Sequence, residues 1–149
     1  MKKTRTWILI ADGARARILQ SEGWGTGLTP VPGQAREIAN PPTRDQVSDR
    51  PGHVQESANS ARHAIAPRTD WHRYEKHLFA GALADIVNRA SLDKAFDRLV
   101  LVAPPHTLGD LRQALDKQAR KRVAAELDKD LTHLSLDELQ AQLEKIVPV

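Results

Sequence analysis

Apolar positions along the chain form two kinds of pattern, and together they predict a mixed α/β fold. Two uninterrupted apolar runs, Trp7 to Ala11 and Leu99 to Ala103, lack polar alternation and are typical of strands buried on both faces. Between residues 70 and 90, apolar residues recur at steps of three or four, which predicts a long amphipathic helix. Its expected buried stripe consists of Trp71, Tyr74, Leu78, Ala82, Ile86 and Ala90.

The amino-terminal residues predict three antiparallel strands. The first run ends at Asp12-Gly13, a dipeptide that favours tight hairpin turns because both residues tolerate positive φ. Alternation continues from Ala14 to Leu19, with Arg15 and Arg17 on one face and small apolar side chains on the other. Residues 28–38 predict a third strand, which two prolines confine to a sheet edge or a bulge.

Residues 39–69 differ from the rest of the chain. They are polar, contain four prolines and have too few large apolar side chains to build a core of their own. They predict a long polar loop before the first helix, and loops of this length are either functional or disordered.

The remaining pattern extends the sheet in parallel. The residues from Ser135 to Glu138 form a capping box that opens a last helix, extending to about Val147. The order βββαβαβα predicts a single domain over residues 1–149 with a ribonuclease-H-like mixed sheet. The elements between the long helix and the capping box are a strand from Arg98 to Ala103, a helix from Leu108 to about Gln118 and a strand from Arg122 to Leu127.

A candidate ligand site follows from the Pro-Pro-His turn at the end of the second apolar run. Open α/β sheets bind ligands just beyond the carboxyl ends of such strands. Thr107 is expected to cap the next helix, with Asp110 three residues on, so that the two N–H groups after Thr107 face a crevice. The predicted ligand-binding and anion-binding residues are His106, Thr107, Leu108, Gly109 and Arg112.

The amino-acid composition limits the functions that the chain could have. The chain has 22 Lys and Arg against 19 Asp and Glu, so its net charge is only +3 and charge alone does not predict strong nucleic-acid binding. Residues 1–38 carry six basic and three acidic residues, so any positive patch is expected mainly on the amino-terminal strands. The absence of cysteine excludes disulfides and thiol catalysis. With no signal peptide and no apolar run that could span a membrane, we expect a cytoplasmic protein.

Carboxylates at strand ends leave metal-dependent hydrolysis open as an alternative. Enzymes of the ribonuclease-H-like class gather carboxylates around two divalent ions, and Mg²⁺ would be the cofactor in this interpretation. The same side chains also fit a turn, a helix start and solvated charges. No zinc site is predicted, since His72 and His77 are five residues apart and do not share a helix face. The candidate metal ligands are Asp12, Asp110, Asp128 and Asp130.

Four motifs resemble the host attachment protein family of bacteria, small proteins described as needed for attachment to host cells. The resemblance rests on Trp7 to Arg17, Asp49 to Gly52, Leu99 to Arg112 and Lys129 to Thr132, in this order. It implies a fold and carries no catalytic residues to this chain.

The family is in turn distantly similar to the middle domain of archaeal and eukaryotic class-1 peptide release factors. That domain carries a Gly-Gly-Gln in the loop before its first long helix. The corresponding region here reads Arg50 to Gln55 without this motif, so peptidyl-tRNA hydrolysis is not implied.

Three functions follow as hypotheses. The first is a non-catalytic binding protein that contacts RNA, including RNA of the ribosome, through the arginine-bearing loop of residues 39–69 and the helix end at Thr107. The second is the Mg²⁺-dependent phosphodiester hydrolase, and the third is a protein interaction module that forms a homodimer through the edge of the 28–38 strand. The candidate nucleic-acid-binding residues are Arg15, Arg17, Arg44, Arg50, His53, Arg62 and Arg68.

Overall fold

The structure, a computed structural model, describes residues 3–23, 26–31 and 68–147. The described residues form one mixed α/β domain, as the sequence predicts. Its strands are β1 (Thr6–Ala11), β2 (Ala16–Ser21), β3 (Thr29–Pro30), β4 (Arg98–Val102) and β5 (Val123–Leu127). Its helices are α1 (Arg68–Leu92), α2 (Pro105–Ala114), α3 (Lys117–Lys121) and α4 (Leu136–Leu143).

The strands form one sheet in the order β3-β2-β1-β4-β5. β2 is antiparallel to both β1 and β3, whereas β4 is parallel to both β1 and β5. The predicted antiparallel start with a parallel continuation is therefore confirmed. β1 and β4 are direct neighbours, with Thr6 opposite Arg98 and Ile10 opposite Val102. The ribonuclease-H-like assignment stays a prediction that this topology does not contradict.

Helices cover both faces of the sheet, which explains why the central strands are apolar without alternation. Trp7, Leu9 and Ala11 of β1 belong to the cluster beneath α1, α2 and α3. Ile8 and Ile10 belong to the second cluster, beneath α4. All five side chains are at most 4% exposed, as expected for an inner strand.

The face of α1 that packs on the sheet matches the predicted one only at the carboxyl-terminal end, where Ala90 is buried and Ile86 packs against the core. Phe79, Leu83 and Val87 are buried, whereas Tyr74 and Leu78 of the predicted stripe are 52% and 50% exposed. The two apolar rows are one residue apart, about 100° around the helix, and periodicity alone does not choose between them. The helix itself is confirmed, and its contact face is corrected over the part that contains Tyr74 and Leu78.

Three predicted element boundaries also change. In the third strand, the described pairing is limited to Thr29–Pro30, and the remainder of the predicted strand and loop up to residue 67 lies outside the described residues. The helix predicted over residues 108–118 is replaced by α2 and α3, because Asp116 adopts an extended conformation and caps α3 through its side chain. The capping box of Ser135 is confirmed, but α4 ends at Leu143.

No helix in the described ranges has the length and apolar character needed to cross a bilayer.

Candidate functional site

The carboxyl ends of β1 and β4 open onto a groove of about 550 Å³, here called the switch-point groove. From β1 the chain turns to β2 on one side, and from β4 it crosses to β5 on the other, so the connections diverge between these two neighbours. The groove is lined by residues 12–14, Glu75 and Lys76 of α1, residues 104–107 and Asp130. This is the location expected for a ligand in an open α/β sheet.

Helix α2 starts three residues earlier than predicted. Pro104 is its N-cap and Pro105 its first residue, and no side chain caps it. Thr107 is therefore inside the first turn, which corrects the prediction that it caps the helix. The N–H of Leu108 donates to the carbonyl of Pro104 at 2.8 Å, so it does not face the groove either. The backbone N–H groups without an intrahelical acceptor are instead those of His106 and Thr107.

The side chains at this turn differ in exposure. Thr107 is only 3% exposed, yet it lines the groove, and its hydroxyl makes no hydrogen bond to another described residue. His106 is exposed beside it. Gly109 is half-buried one turn further along α2 and does not line the groove.

Asp12 shapes the turn that forms the opposite wall. Its Oδ1 accepts hydrogen bonds from the backbone N–H of Ala14 at 2.7 Å and of Arg15 at 2.6 Å. A Cβ atom placed on Gly13 would lie 2.5 Å from Cγ of Lys76, so a side chain at position 13 would displace Lys76. The tight turn therefore brings the backbone close to α1 and holds Lys76 at the groove.

Thr132 connects the two carboxylates of the groove. Its hydroxyl lies 2.8 Å from Oδ1 of Asp130 and 3.2 Å from Oδ2 of Asp12. The backbone N–H of Thr132 also donates to Oδ1 of Asp130. A hydroxyl has one proton, so it donates fully to one carboxylate at a time.

The other two candidate metal ligands lie elsewhere. Asp110 is 3.3 Å from Nδ1 of His77 and faces a separate shallow pocket. Asp128 is exposed beyond β5. Among the residues that the structure describes, no group of three or more His, Asp or Glu side chains is arranged to hold a metal ion. The structure thus brings together Asp12 and Asp130, not all four carboxylates.

Arg112 does not reach the switch-point groove, contrary to prediction. Its guanidinium pairs with Glu126 of β5, with Nε 2.8 Å from Oε1 and 2.9 Å from Oε2. The hydrogen bond and the charge of Glu126 raise the pKa of Arg112 above its ordinary value. Arg112 follows Thr107 by five residues, which places it about 140° around the axis of α2, on the side that faces β5.

The candidate nucleic-acid-binding residues are only partly described. Arg15 is exposed in the β1–β2 turn, and Nη1 of Arg17 donates to the carbonyl of Leu134 at 2.6 Å. Arg68 begins α1. Arg44, Arg50, His53 and Arg62 lie outside the described residues.

A cationic surface is found at the opposite edge of the sheet, where β4 and β5 begin. We call it the amino-edge surface and define it by Arg98, Lys117, Arg120, Lys121 and Arg122. The three residues of α3 are exposed, and the two arginines at the strand starts are half-buried. Of the cations behind the prediction of a positive patch on the amino-terminal strands, Lys3 pairs with Glu22 and Arg5 with Asp97, and the patch itself stays a prediction. The sequence feature that could have predicted the amino-edge surface is the presence of four basic residues among the six residues 117–122.

These features define an α/β domain with a groove at its switch point and a cationic opposite edge. The family described as "Protein required for attachment to host cells" matches residues 7–143, and the chain belongs to this family. A search of curated proteins gives no match. The similarity to the release factor middle domain stays a prediction.

Proposed function

We propose that this host attachment family protein is a non-catalytic, cytoplasmic binding module that contacts RNA through the amino-edge surface. The observation that carries the proposal is the set of cations in and beside α3. Among the described residues, none of the five has an acidic side chain within ion-pair distance. Uncompensated Lys and Arg side chains on one surface are the usual means of binding nucleic-acid phosphates.

Neutral acceptors hold the arginines in place. Nη1 of Arg122 donates to the carbonyl of Phe96 at 3.1 Å, and its guanidinium carbon is 6.0 Å from the Phe96 ring centroid. Nη2 of Arg120 donates to the carbonyl of Leu115 at 2.9 Å, and Nε of Arg98 donates to the hydroxyl of Thr6 at 3.1 Å. These partners orient the guanidinium groups without neutralising them, so the remaining N–H donors are available to phosphate oxygens.

The sheet brings two of these arginines side by side. The backbone N–H of Leu99 donates to the carbonyl of Arg122 at 2.8 Å, which places the starts of β4 and β5 at the spacing of paired strands. Arg98 and Arg122 therefore form a short row that continues into α3. Contacts of this kind are made to the phosphate backbone, so we expect binding without strong sequence preference.

The test is the affinity of the full chain for a fluorescent single-stranded RNA of 20 uridines, measured by anisotropy between about 50 and 200 mM salt. The double variant Lys117→Gln/Lys121→Gln is expected to bind less tightly and to reduce the salt slope by about 0.7 per lost phosphate contact. Arg73→Gln/Lys129→Gln removes the same charge from the rest of the described surface and serves as the matched control.

A third variant, Arg50→Gln/Arg68→Gln, tests the contribution predicted for the 39–69 segment. No RNA binding by the unmodified chain would overturn the proposed function. RNA binding that the control or the Arg50/Arg68 variant weakens, and the Lys117/Lys121 variant does not, would show that the amino-edge surface is the wrong site.

A further inference from the structure

We propose that the switch-point groove binds a small phosphomonoester that carries hydroxyl groups, the chemistry shared by nucleoside monophosphates and sugar phosphates. This site lies at the carboxyl edge of the sheet, away from the amino-edge surface, and is independent of the proposed RNA contact. The two ends of the groove differ in their hydrogen-bonding groups. One end has donors that need an acceptor, and the other has carboxylate acceptors that need a donor.

The donor end is the first turn of α2. Its N-cap is a proline, which cannot accept a side-chain hydrogen bond from the first turn, and that turn contains no acidic residue. The N–H groups of His106 and Thr107 are thus left for another acceptor, at the positive end of a ten-residue helix. Backbone donors in this arrangement bind phosphate groups.

The side chain of Thr107 provides the second observation at this end. Thr107 is 97% buried by the fold and lines the groove, and none of the hydrogen bonds among the described residues involves its Oγ1. Oγ1 is not an enclosed atom, as Oγ of Ser91 is, so it is reached from the groove, where a bound acceptor would accept its hydrogen bond. Helix α1 also lines the groove with one basic side chain, Lys76, and one acidic side chain, Glu75.

The acceptor end is formed by the carboxylates of Asp12 and Asp130. Both lie near the single hydroxyl proton of Thr132, and the shorter distance, 2.8 Å against 3.2 Å, favours donation to Asp130. Oδ2 of Asp12 is then left with capacity for another donor, while its Oδ1 is already occupied by two backbone N–H groups. A ligand hydroxyl supplies such a donor, as ribose does to an acidic residue in dinucleotide-binding α/β folds.

The two ends together exclude simpler ligands. A bare phosphate ion leaves Oδ2 of Asp12 without a ligand hydroxyl to donate to it, and an uncharged nucleoside leaves the donors of α2 without an anion. A phosphate and its hydroxyl-bearing group both fit a groove of about 550 Å³, which is within the range of small-molecule sites.

The experiment is isothermal titration calorimetry on the full chain with four probes: adenosine 5′-monophosphate, ribose 5-phosphate, inorganic phosphate and adenosine. Binding of either phosphomonoester at least about tenfold more tightly than inorganic phosphate and adenosine supports the proposal, each tenfold step corresponding to about 1.4 kcal/mol. Binding of the nucleotide alone identifies a nucleoside monophosphate, and binding of both identifies recognition of the shared sugar phosphate. Ribose 5-phosphate alone identifies a sugar phosphate.

Variants connect the affinity to the named residues. Thr107→Val is expected to weaken phosphomonoester binding at least about fivefold and Thr107→Ser to restore it, with equal melting temperatures confirming the fold. Asp130→Asn should weaken binding, whereas Asp128→Asn, two residues away and outside the groove, should not.

No binding of either phosphomonoester at millimolar concentration overturns the proposal. Equal binding of inorganic phosphate, or affinity that neither Thr107→Val nor Asp130→Asn changes, overturns it as well. RNA affinity of Thr107→Val is measured in parallel, so that failure here is distinguished from failure of the proposed function.

Discussion

At the scale of single residues, Phe96 links the core to the cationic edge. Its side chain is fully buried, and its ring centroid is 5.1 Å from that of Trp7. Its carbonyl and its ring also contact Arg122. The loop between α1 and β4 is therefore fixed by one aromatic side chain, and the position of an arginine on the amino-edge surface depends on it.

Replacing Phe96 by alanine should reduce the free energy of unfolding by about 3 to 5 kcal/mol, because it leaves a large cavity beneath Trp7. Urea denaturation monitored by tryptophan fluorescence measures the loss. Leu92→Ala is the control, since Leu92 is 70% exposed and its removal should change stability by no more than about 0.5 kcal/mol. Equal stability of the two variants would contradict the packing described for Phe96.

The start of α4 predicts a dependence of stability on pH. The backbone N–H of Ser135 donates to Oε1 of Glu138 at 3.1 Å, and this bond, together with the nearby Ser135 hydroxyl, lowers the pKa of Glu138 below its ordinary value. A lowered folded-state pKa stabilises the fold above the unfolded pKa of about 4.3, and this contribution is lost as the pH falls through the folded value.

Glu138→Gln should therefore be less stable than the unmodified chain at pH 7, and the two should converge as the pH falls below about 4. Urea titrations at several pH values measure this difference. Glu144→Gln, at the opposite end of α4, changes the same charge outside the capping box and should not show the convergence. A difference that stays constant into acid would show that the charge of Glu138 contributes nothing.

At the scale of elements, two substitutions in α1 test whether the row that contains Leu83 or the row that contains Leu78 contacts the sheet. Leu83→Ala should cost about 2 to 5 kcal/mol because Leu83 is 1% exposed and packs in the core. Leu78→Ala removes the same atoms from a half-exposed position and should cost far less. Thermal or urea unfolding of both variants measures the difference. The reverse ranking would restore the stripe predicted from periodicity.

The elements that the sequence predicts correctly are those whose pattern is complete within a few adjacent residues. The apolar runs of β1 and β4 and the capping box of Ser135 each specify their structure through adjacent residues. The start of α2 was missed because Pro104 and Pro105 read as a turn, although proline is well suited to the first helical position.

The sequence predicts where the groove lies, but it does not predict all the residues that line it. Neighbouring β1 and β4 follow from topology rules, so the groove could be anticipated at their carboxyl ends. Its wall from α1 depends on a contact between Gly13 and Lys76, which are 63 residues apart, and the sharing of the Thr132 hydroxyl depends on a contact with Asp12, which is 120 residues away. No local pattern contains such contacts.

At the scale of the whole molecule, the sheet separates two surfaces of different character. The switch-point groove combines carboxylates with a few donors, whereas the amino-edge surface is cationic. The strands between them are five or six residues long, which corresponds to roughly 17 to 20 Å at about 3.3 Å per residue. Charges at this distance are largely screened at physiological salt, where the Debye length is about 8 Å.

Occupancy of one surface should therefore leave the affinity of the other unchanged within about twofold at 150 mM salt, since a rigid sheet with screened ends provides little coupling energy. RNA titrations with and without saturating ribose 5-phosphate measure one direction, and calorimetric titrations of ribose 5-phosphate with and without saturating RNA measure the other. Because coupling between binding sites is reciprocal, both directions must give the same factor. A tenfold loss of RNA affinity with the phosphomonoester bound would instead mean that RNA and the small ligand share the groove.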